Sequence, residues 1–213
     1  MRWILLPLAA GLLTSHTVQA QDEAVSSTAW FDSVMVYTAQ GADHNLTELP
    51  GAILGGDVKW EPSYFTAIAF SKTRGTLGDS FALLKDSYFK NVEHGYEVVY
   101  AQHHGLQSNA ELGAAFVLRT PDLNMGPLAV NFGSGVGLSH AFGTTSYEDG
   151  PINNPDKRYA TQLLVLFDLE WKIRKIEKLS IVTRVHHRSG AYGLIAPRNV
   201  GSNFLALGIR YDF

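Results

Sequence analysis

The sequence predicts an all-β protein, an eight-stranded antiparallel transmembrane β-barrel, and three observations lead to that fold class. Several segments alternate apolar residues with small or polar ones at a period of two, as strands with two different faces do. The 213-residue chain is 46% hydrophobic yet only 17% charged, whereas a typical soluble domain has roughly 25% charged residues. The predicted strands are about 10–12 residues long, which suits a tilted crossing of a bilayer.

Composition also excludes several classes of protein. The formal net charge is −3, so the chain is not a strongly basic nucleic-acid binder and no nucleic-acid partner is expected. The absence of cysteine excludes a disulfide scaffold, a thiolate metal site and a cysteine nucleophile. What remains is a protein whose apolar excess faces lipid, while most of its charges lie in the lumen, turns and loops.

The N-terminus predicts export. Arg2 precedes an apolar run over residues 4–13, and residues 14–20 end in a small-x-small pattern, which together form a secretory signal peptide. The run is too short to cross a hydrocarbon core of about 30 Å. We therefore expect residues 1–20 to be the signal peptide and residues 21–213 to form a barrel in the outer membrane of a Gram-negative cell.

The predicted barrel is small, because eight strands enclose a lumen that side chains fill. In order, the strands span residues 30–39, 60–71, 95–103, 109–119, 128–142, 160–172, 179–189 and 203–213. The alternation is clear in the sixth strand, where one face carries Thr161, Leu163, Val165, Phe167, Leu169 and Trp171. The fifth strand places Gly133, Gly135 and Gly137 on its inward face, where a narrow lumen needs small residues. The last strand ends on an aromatic residue, Phe213, as outer-membrane proteins recognised by the barrel assembly machinery do.

Periplasmic termini would give external loops at 40–59, 143–159 and 190–202. Short periplasmic turns would then lie at 121–126 and 174–178. The connection 72–94 fits this scheme less well because it is long, and its run from Phe81 to Leu84 suggests a short helix.

Charged residues on the inward faces predict a salt-bridged plug in the lumen. These residues are Glu97, Glu111, Arg119, Asp168, Glu170, Lys172, Arg184, Arg188 and Arg210.

The strand 179–189 carries the strongest functional signal. Alternation places His187 and Ser189 among apolar neighbours on the lipid face, where unpartnered hydrogen-bonding groups are costly. Residues two apart share a face of a strand, so His187 can accept the proton of Ser189 and make it a nucleophile. Pairing with the last strand brings Asn203 beside His187, where the amide can orient the imidazole ring. All three lie at the external end of the barrel, at the depth of the outer leaflet.

At these residues the sequence resembles the PagL-type lipid A 3-O-deacylases, which are eight-stranded outer-membrane barrels. In that family the penultimate strand ends in His-x-Ser-Asn, followed by a Pro-Asn loop and a Gly-x-Glu on the last strand. Here His187-Arg188-Ser189 matches His-x-Ser, residues 197–199 match the loop loosely, and residues 201–203 match Gly-x-Glu in position. Two departures are Gly190 in place of the Asn after the serine and Asn203 in place of the catalytic acid.

The resemblance implies an ester hydrolase that removes an acyl chain from lipid A, with lipopolysaccharide and outer-membrane lipids as its partners. His187, Ser189 and Asn203 are the expected catalytic residues, and Gly190 and Asn199 are expected to stabilise the oxyanion. Guanidinium and ammonium groups near the outer face are candidate ligands of the lipid A phosphates. They are Arg188, Arg198, Lys157 and Arg158. No cofactor is expected.

Three alternatives stay open. The pair His187 and Ser189 can simply be an interfacial polar pair in a non-catalytic barrel that is structural or binds lipopolysaccharide. The tail of this strand also resembles lipid A oxidases, which share the barrel. Finally, His103-His104 could form a metal site with His44 and His140, but their spacing matches no known ligand pattern, and no metal is expected.

Overall fold

The computed structural model describes residues 29–143, 145–148, 159–196 and 200–213. The predicted signal peptide lies outside these residues. Within them, no helix is long and apolar enough to cross a membrane, a finding that has no bearing on strands.

The described residues form one antiparallel sheet that closes on itself. Its strands are β1 (Ser33–Ala42), β2 (Trp60–Thr76), β3 (Glu93–Gly105), β4 (Ala110–Arg119), β5 (Leu123–Met125), β6 (Leu128–Phe142), β7 (Thr161–Ile173), β8 (Leu179–Ser189) and β9 (Gly201–Asp212). β1 pairs with β9 and β4 pairs with β6, while the three-residue β5 only extends the hairpin into β6. The eight longer strands therefore form a closed barrel, and the predicted fold class is confirmed.

Short helices lie in the connections. α1 (Leu49–Gly55) lies between β1 and β2, and α2 (Leu77–Ser80) is followed by a 3₁₀ turn at Ala82–Leu84. A further 3₁₀ turn, Ser146–Glu148, lies in the loop before β7, and a tight turn, Ala191–Gly193, lies in the loop before β9.

The predicted end of the second strand is wrong. β2 continues past its last pair with β1, at Ser71, and remains paired with β3 as far as Thr76. A register shift between Thr73 and Gly75 interrupts the simple alternation there, which is why the pattern of the sequence ends early. The connection between β2 and β3 is therefore 77–92 rather than 72–94. The short helix predicted at residues 81–84 corresponds to the 3₁₀ turn Ala82–Leu84.

The outer wall of the barrel is an apolar belt. Outward side chains such as Val36, Phe116, Leu207 and Ile209 are about half exposed or more, whereas their sequence neighbours point into the lumen and are buried. A closed sheet satisfies its backbone groups internally, so such a wall can face hydrocarbon.

Ion pairs fill the lumen, as the inward charges of the sequence predict. Arg184 is almost fully buried and donates to Asp168 and to Glu97, both at 2.7 Å. Arg210 donates to Glu170 at 2.9 Å, and Arg119 approaches Glu97 at 3.6 Å. These contacts connect side chains from five strands across the interior.

Aromatic rings lie next to the ion pairs. Phe65 contacts Tyr37 and Phe204, with ring centroids 5.7 and 4.9 Å apart, and the guanidinium carbon of Arg184 lies 5.0 Å from the centre of the Tyr37 ring. Tyr37, Phe65 and Phe204 are essentially inaccessible to solvent. The lumen is therefore a packed core.

Candidate functional site

His187 and Ser189 lie on the outward face of β8, as alternation predicts. Their neighbours across β7 are Val165 and Leu163, both apolar outward positions. The intervening residues His186 and Arg188 point into the lumen and are fully buried. Both outward side chains are half-buried, so they form a polar patch at the loop end of the apolar belt.

Asn203 lies directly opposite His187 in the pairing of β8 with β9. Its Oδ1 is 2.7 Å from His187 Nδ1, and its Nδ2 donates to the backbone carbonyl of His44 at 2.6 Å. A carbonyl oxygen can only accept a hydrogen bond, so the amide orientation of Asn203 is fixed. Its Oδ1 must then accept from His187 Nδ1–H. In neutral imidazole this tautomer leaves Nε2 as the basic nitrogen.

Ser189 follows His187 on the same face. Its hydroxyl oxygen lies 3.4 Å from the backbone N–H of Ala191, and among the described residues no hydrogen bond joins it to the His187 ring. Hydrogen bonds between nucleophile and base often tighten only when substrate binds. The structure thus places His187 and Ser189 on one patch without joining them.

Gly201 brings the two strands together at this level. It pairs with Ser189, and a Cβ on it would lie 2.2 Å from the carbonyl oxygen of Arg188. Its φ of 150° is also one that L side chains rarely adopt. A glycine is therefore required where β9 begins beside the serine.

The turn after Ser189 has an unusual backbone. Ala191, Tyr192 and Gly193 all have positive φ, at 52°, 55° and 102°, and two of them carry side chains that disfavour this region. The carbonyl of Gly190 accepts the N–H groups of three later residues, Gly193, Ile195 and Ala196. The turn is thereby folded tightly against the end of β8.

The expected oxyanion role of the Gly190 N–H does not agree with this geometry. That N–H donates to the carbonyl of Val200 at 3.1 Å, because it belongs to the backbone pairing that closes the loop. The N–H of Ala191 is the donor that lies next to the Ser189 hydroxyl. Asn199, the other expected oxyanion residue, lies outside the described residues.

Arg188 is not available to an external phosphate, contrary to the expectation. Its side chain is wholly buried in the lumen and donates to Glu148 at 2.6 Å, to Ser139 at 2.8 Å and to the carbonyl of Ala160 at 2.8 Å. Alternation places it inward, between the outward His187 and Ser189. The other candidate phosphate ligands, Lys157, Arg158 and Arg198, lie outside the described residues.

The sequence reasoning missed Glu148, which comes from the loop before β7 and enters the mouth of the barrel. Its carboxylate accepts hydrogen bonds from Arg188 on β8 at 2.6 Å, from Ser202 on β9 at 2.8 Å and from Gln162 on β7 at 2.8 Å. Arg188 and Ser202 face each other in the strand pairing. Glu148 therefore holds β8 and β9 together from inside, directly behind the outward patch.

Tyr147 closes the same mouth. Its ring lies 5.6 Å from that of Phe204, and Gly41 makes room for it, since a Cβ there would lie 2.7 Å from the hydroxyl. Burial raises the pKa of Tyr147, which keeps the hydroxyl protonated. Nothing in a loop of irregular structure signals such contacts in the sequence.

A chain of buried hydrogen bonds also runs through the upper lumen. Glu111 contacts His103 Nε2 at 2.9 Å and His186 Nε2 at 3.1 Å, while the Nδ1 atoms of these rings contact Gln107 and the Tyr37 hydroxyl. If both rings are neutral and protonated at Nε2, every contact joins a donor to an acceptor. The chain thus forms a consistent structural network.

The four histidines considered as metal ligands lie apart. His103 is in the lumen, His104 stacks on Tyr64 outside it, His140 contacts Thr161 on another part of the wall, and His44 accepts the Lys59 N–H in a loop. In the described part of the chain, no group of three His, Cys, Asp or Glu side chains is placed to hold a metal ion.

Comparison with known proteins yields a structural likeness without a match in sequence. No protein-family model matches the chain, and no curated protein matches its sequence. The solved structure of the outer membrane enzyme PagL superposes with a TM-score of 0.54 at 11% identity, covering 84% of this chain and 99% of that one. Neisserial surface protein A (0.47, 10% identity, 85% and 96%) and LpxR from Salmonella typhimurium (0.31, 12%, 84% and 68%) score lower. The likeness to PagL shows the fold alone: this chain is an eight-stranded barrel of the outer-membrane type.

Proposed function

We propose that the protein is an outer-membrane enzyme that modifies lipid A, specifically a serine ester hydrolase that removes an acyl chain in the outer leaflet. One observation carries the proposal: His187 and Ser189 form a polar patch on the outward wall, at the loop end of the belt, and the buried Asn203 is hydrogen-bonded to His187. An ester inside a lipid leaflet can reach such a patch from the side. The His-x-Ser resemblance to PagL-type deacylases and the barrel shared with PagL support it.

The chemistry follows from the tautomer that Asn203 imposes. Ser189 Oγ attacks the ester carbonyl carbon while its proton passes to His187 Nε2, giving a tetrahedral oxyanion. His187 then returns the proton to the departing sugar alkoxide, which leaves an acyl-serine. Water, deprotonated by His187, hydrolyses this intermediate and releases the fatty acid. Asn203 orients the ring, but as a neutral amide it stabilises the imidazolium less than a carboxylate does.

The same proposal includes the hydrogen-bond donors to the oxyanion and the cationic side chains that bind lipid A. The Ala191 N–H, next to the Ser189 hydroxyl, is the backbone donor best placed for the oxyanion, with Asn199 as a second donor. Lys157, Arg158 and Arg198 would bind the lipid A phosphates. Neither a metal nor a cofactor takes part in these steps, and the barrel assembly machinery would recognise the C-terminal strand.

Mass spectrometry of lipid A tests the proposal in cells that carry or lack the gene. The native protein should yield lipid A that has lost one acyl chain. Ser189→Ala should abolish this loss, because it removes the attacking oxygen. Ser134→Ala is the matched control, since Ser134 also lies on the outward face, on β6 away from the patch. Deacylation that persists in Ser189→Ala would disprove the assigned nucleophile.

A non-catalytic barrel that binds lipopolysaccharide is the second candidate function. It is favoured by the partner of His187 Nδ1, which is an amide rather than a carboxylate. It predicts unchanged lipid A and a phenotype insensitive to His187→Ala. A gain of one oxygen atom in lipid A would instead indicate the oxidase alternative.

A further inference from the structure

The loop of residues 77–92, between β2 and β3, is folded compactly on itself. Leu77 N–H donates to the Val92 carbonyl at 2.8 Å and Gly78 N–H to the Lys90 carbonyl at 2.9 Å, which closes the base of the loop. Hydrogen-bonded turns continue from Phe81 onwards through the rest of the loop. The backbone therefore satisfies many of its own polar groups, which lowers the cost of leaving water.

The same loop turns large apolar side chains away from the protein. Leu83 is 98% exposed and Tyr88 is 97% exposed, and Phe81 and Phe89 are exposed as well. Single exposed apolar residues are ordinary, but four of them on one ordered loop of sixteen residues form a patch that calls for an apolar partner.

The patch is continuous with the apolar belt. The ring of Phe81 lies 5.5 Å from that of His94, and His94 stacks at 5.9 Å on Phe116, whose ring is part of the outer wall of β4. The Ser80 hydroxyl contacts His94 Nε2 at 2.7 Å and fixes this junction. The loop is thus attached to the lipid-facing side of the barrel edge instead of extending freely into solvent.

We propose that the 77–92 loop is an interfacial anchor that binds the phospholipid leaflet at the end of the barrel where β1 begins and β9 ends. Leu83, Tyr88 and Phe89 enter the region of headgroups and upper acyl chains, where aromatic side chains with a polar tip are favoured. Lys85 and Lys90 extend to the headgroup phosphates. Since Asp79 and Asp86 balance these two lysines, insertion does not depend on anionic lipid. The anchor lies at the opposite end from the His187 patch and does not rest on catalysis.

Site-specific fluorescence tests the anchor, because the native chain has no cysteine. Leu83→Cys, labelled with an environment-sensitive NBD probe, would be reconstituted in phosphatidylcholine vesicles with or without brominated acyl chains. Leu207→Cys in the belt serves as the inserted reference. Glu177→Cys, exposed in the turn before β8 at the same end of the barrel, serves as the aqueous reference. We expect emission at position 83 to shift to shorter wavelength and to be quenched by brominated lipid, as at position 207.

Emission at position 83 that matches the Glu177 reference, with no bromine quenching, would overturn the proposal. The proposal would also be overturned if the shielding of the probe at position 83 from water rose with the density of protein in the bilayer, because the loop would then be binding a second copy of the chain. Adding Tyr88→Glu to the labelled Leu83→Cys protein should reduce the quenching, whereas Asp86→Glu should leave it unchanged. Equal quenching in both variants would also contradict the anchor.

Discussion

At the level of single residues, Asn203 sets the chemistry of the outward patch. Its amide faces a donor on one side, His187 Nδ1–H, and an acceptor on the other, the His44 carbonyl. A carboxylate at this position would keep the first contact but turn an oxygen towards another oxygen at 2.6 Å. This explains in physical terms why an amide suits the position that an acid occupies in the related motif.

Asn203→Asp should therefore destabilise the protein instead of improving the site. The lost hydrogen bond and the opposed oxygens should lower the free energy of unfolding by about 1–3 kcal/mol. Urea titration in detergent micelles, followed by tryptophan fluorescence, measures this. Asn124→Asp, at an exposed position of β5, is the control and should change little. An Asn203→Asp protein as stable as the native one would show that the contact with His44 is dispensable.

Whether the sequence predicts a feature of this patch depends on whether the feature arises within a strand or from a loop. The outward placement of His187 and Ser189 follows from alternation, because a strand fixes the face of every side chain once one is known. The contribution of His44 does not follow, since it comes from a backbone carbonyl in an irregular loop. The contacts of Gly190 and Arg188 do not follow from the sequence for a related reason: their partners, Val200 and Glu148, belong to loops.

At the level of elements, the hairpin of β8 and β9 is held from both of its sides. Outside, Asn203 connects to the loop after β1, and inside, Glu148 connects Arg188 to Ser202. The residues that face each other across the hairpin, Arg188 and Ser202, alternate with those of the patch. The mouth of the barrel and the patch are therefore two faces of one structural unit.

Glu148→Ala should loosen this unit. It leaves the buried Arg188 without its closest anionic partner, and Glu111 at 3.7 Å compensates only in part. We expect the free energy of unfolding to fall by about 3–5 kcal/mol, the usual effect of breaking a buried ion pair. Glu177→Ala, on the exposed turn before β8, should have almost no effect in the same urea titration. Equal effects of the two substitutions would mean that the mouth contributes nothing to stability.

The bounds of β6 and β8 agree with the sequence pattern. β1 begins and ends three residues later than the predicted 30–39, although it has partners on both sides. The end of β2 was not predictable, because beyond Ser71 it pairs only with β3 and changes register near Gly75. Such an extension depends on a partner strand that local alternation does not reveal.

At the level of the whole molecule, the interior is held together by charge pairs. Arg184 contacts Asp168 and Glu97 through four hydrogen bonds, joining β8 to its neighbour β7 and, across the lumen, to β3. The network also contains Arg210 and Arg119, so that neither carboxylate depends on a single cation. A barrel of this width needs such cross-links because its lumen is too narrow for bulk water to solvate the charges.

Arg184→Met should be among the most damaging single changes in the barrel. It leaves Glu97 and Asp168 facing each other with only more distant cations, so we expect a loss of at least about 3–5 kcal/mol. Arg184→Lys should lose less, because it keeps the charge but not the forked geometry. Arg174→Met, at an exposed turn, is the control. An Arg184→Met protein that unfolds at the same urea concentration as the native protein would show that the ion pairs of Arg184 do not stabilise the barrel.

The outward position of the His187 patch also determines how the concentration of a lipid substrate would be expressed. A lipid that reaches Ser189 from within the leaflet diffuses in two dimensions, so its effective concentration is a surface density. Diluting substrate with inert detergent at constant bulk concentration should then slow the reaction, whereas diluting whole micelles with buffer should not. The Michaelis constant of the proposed hydrolysis would then be expressed as a mole fraction of substrate in the membrane surface.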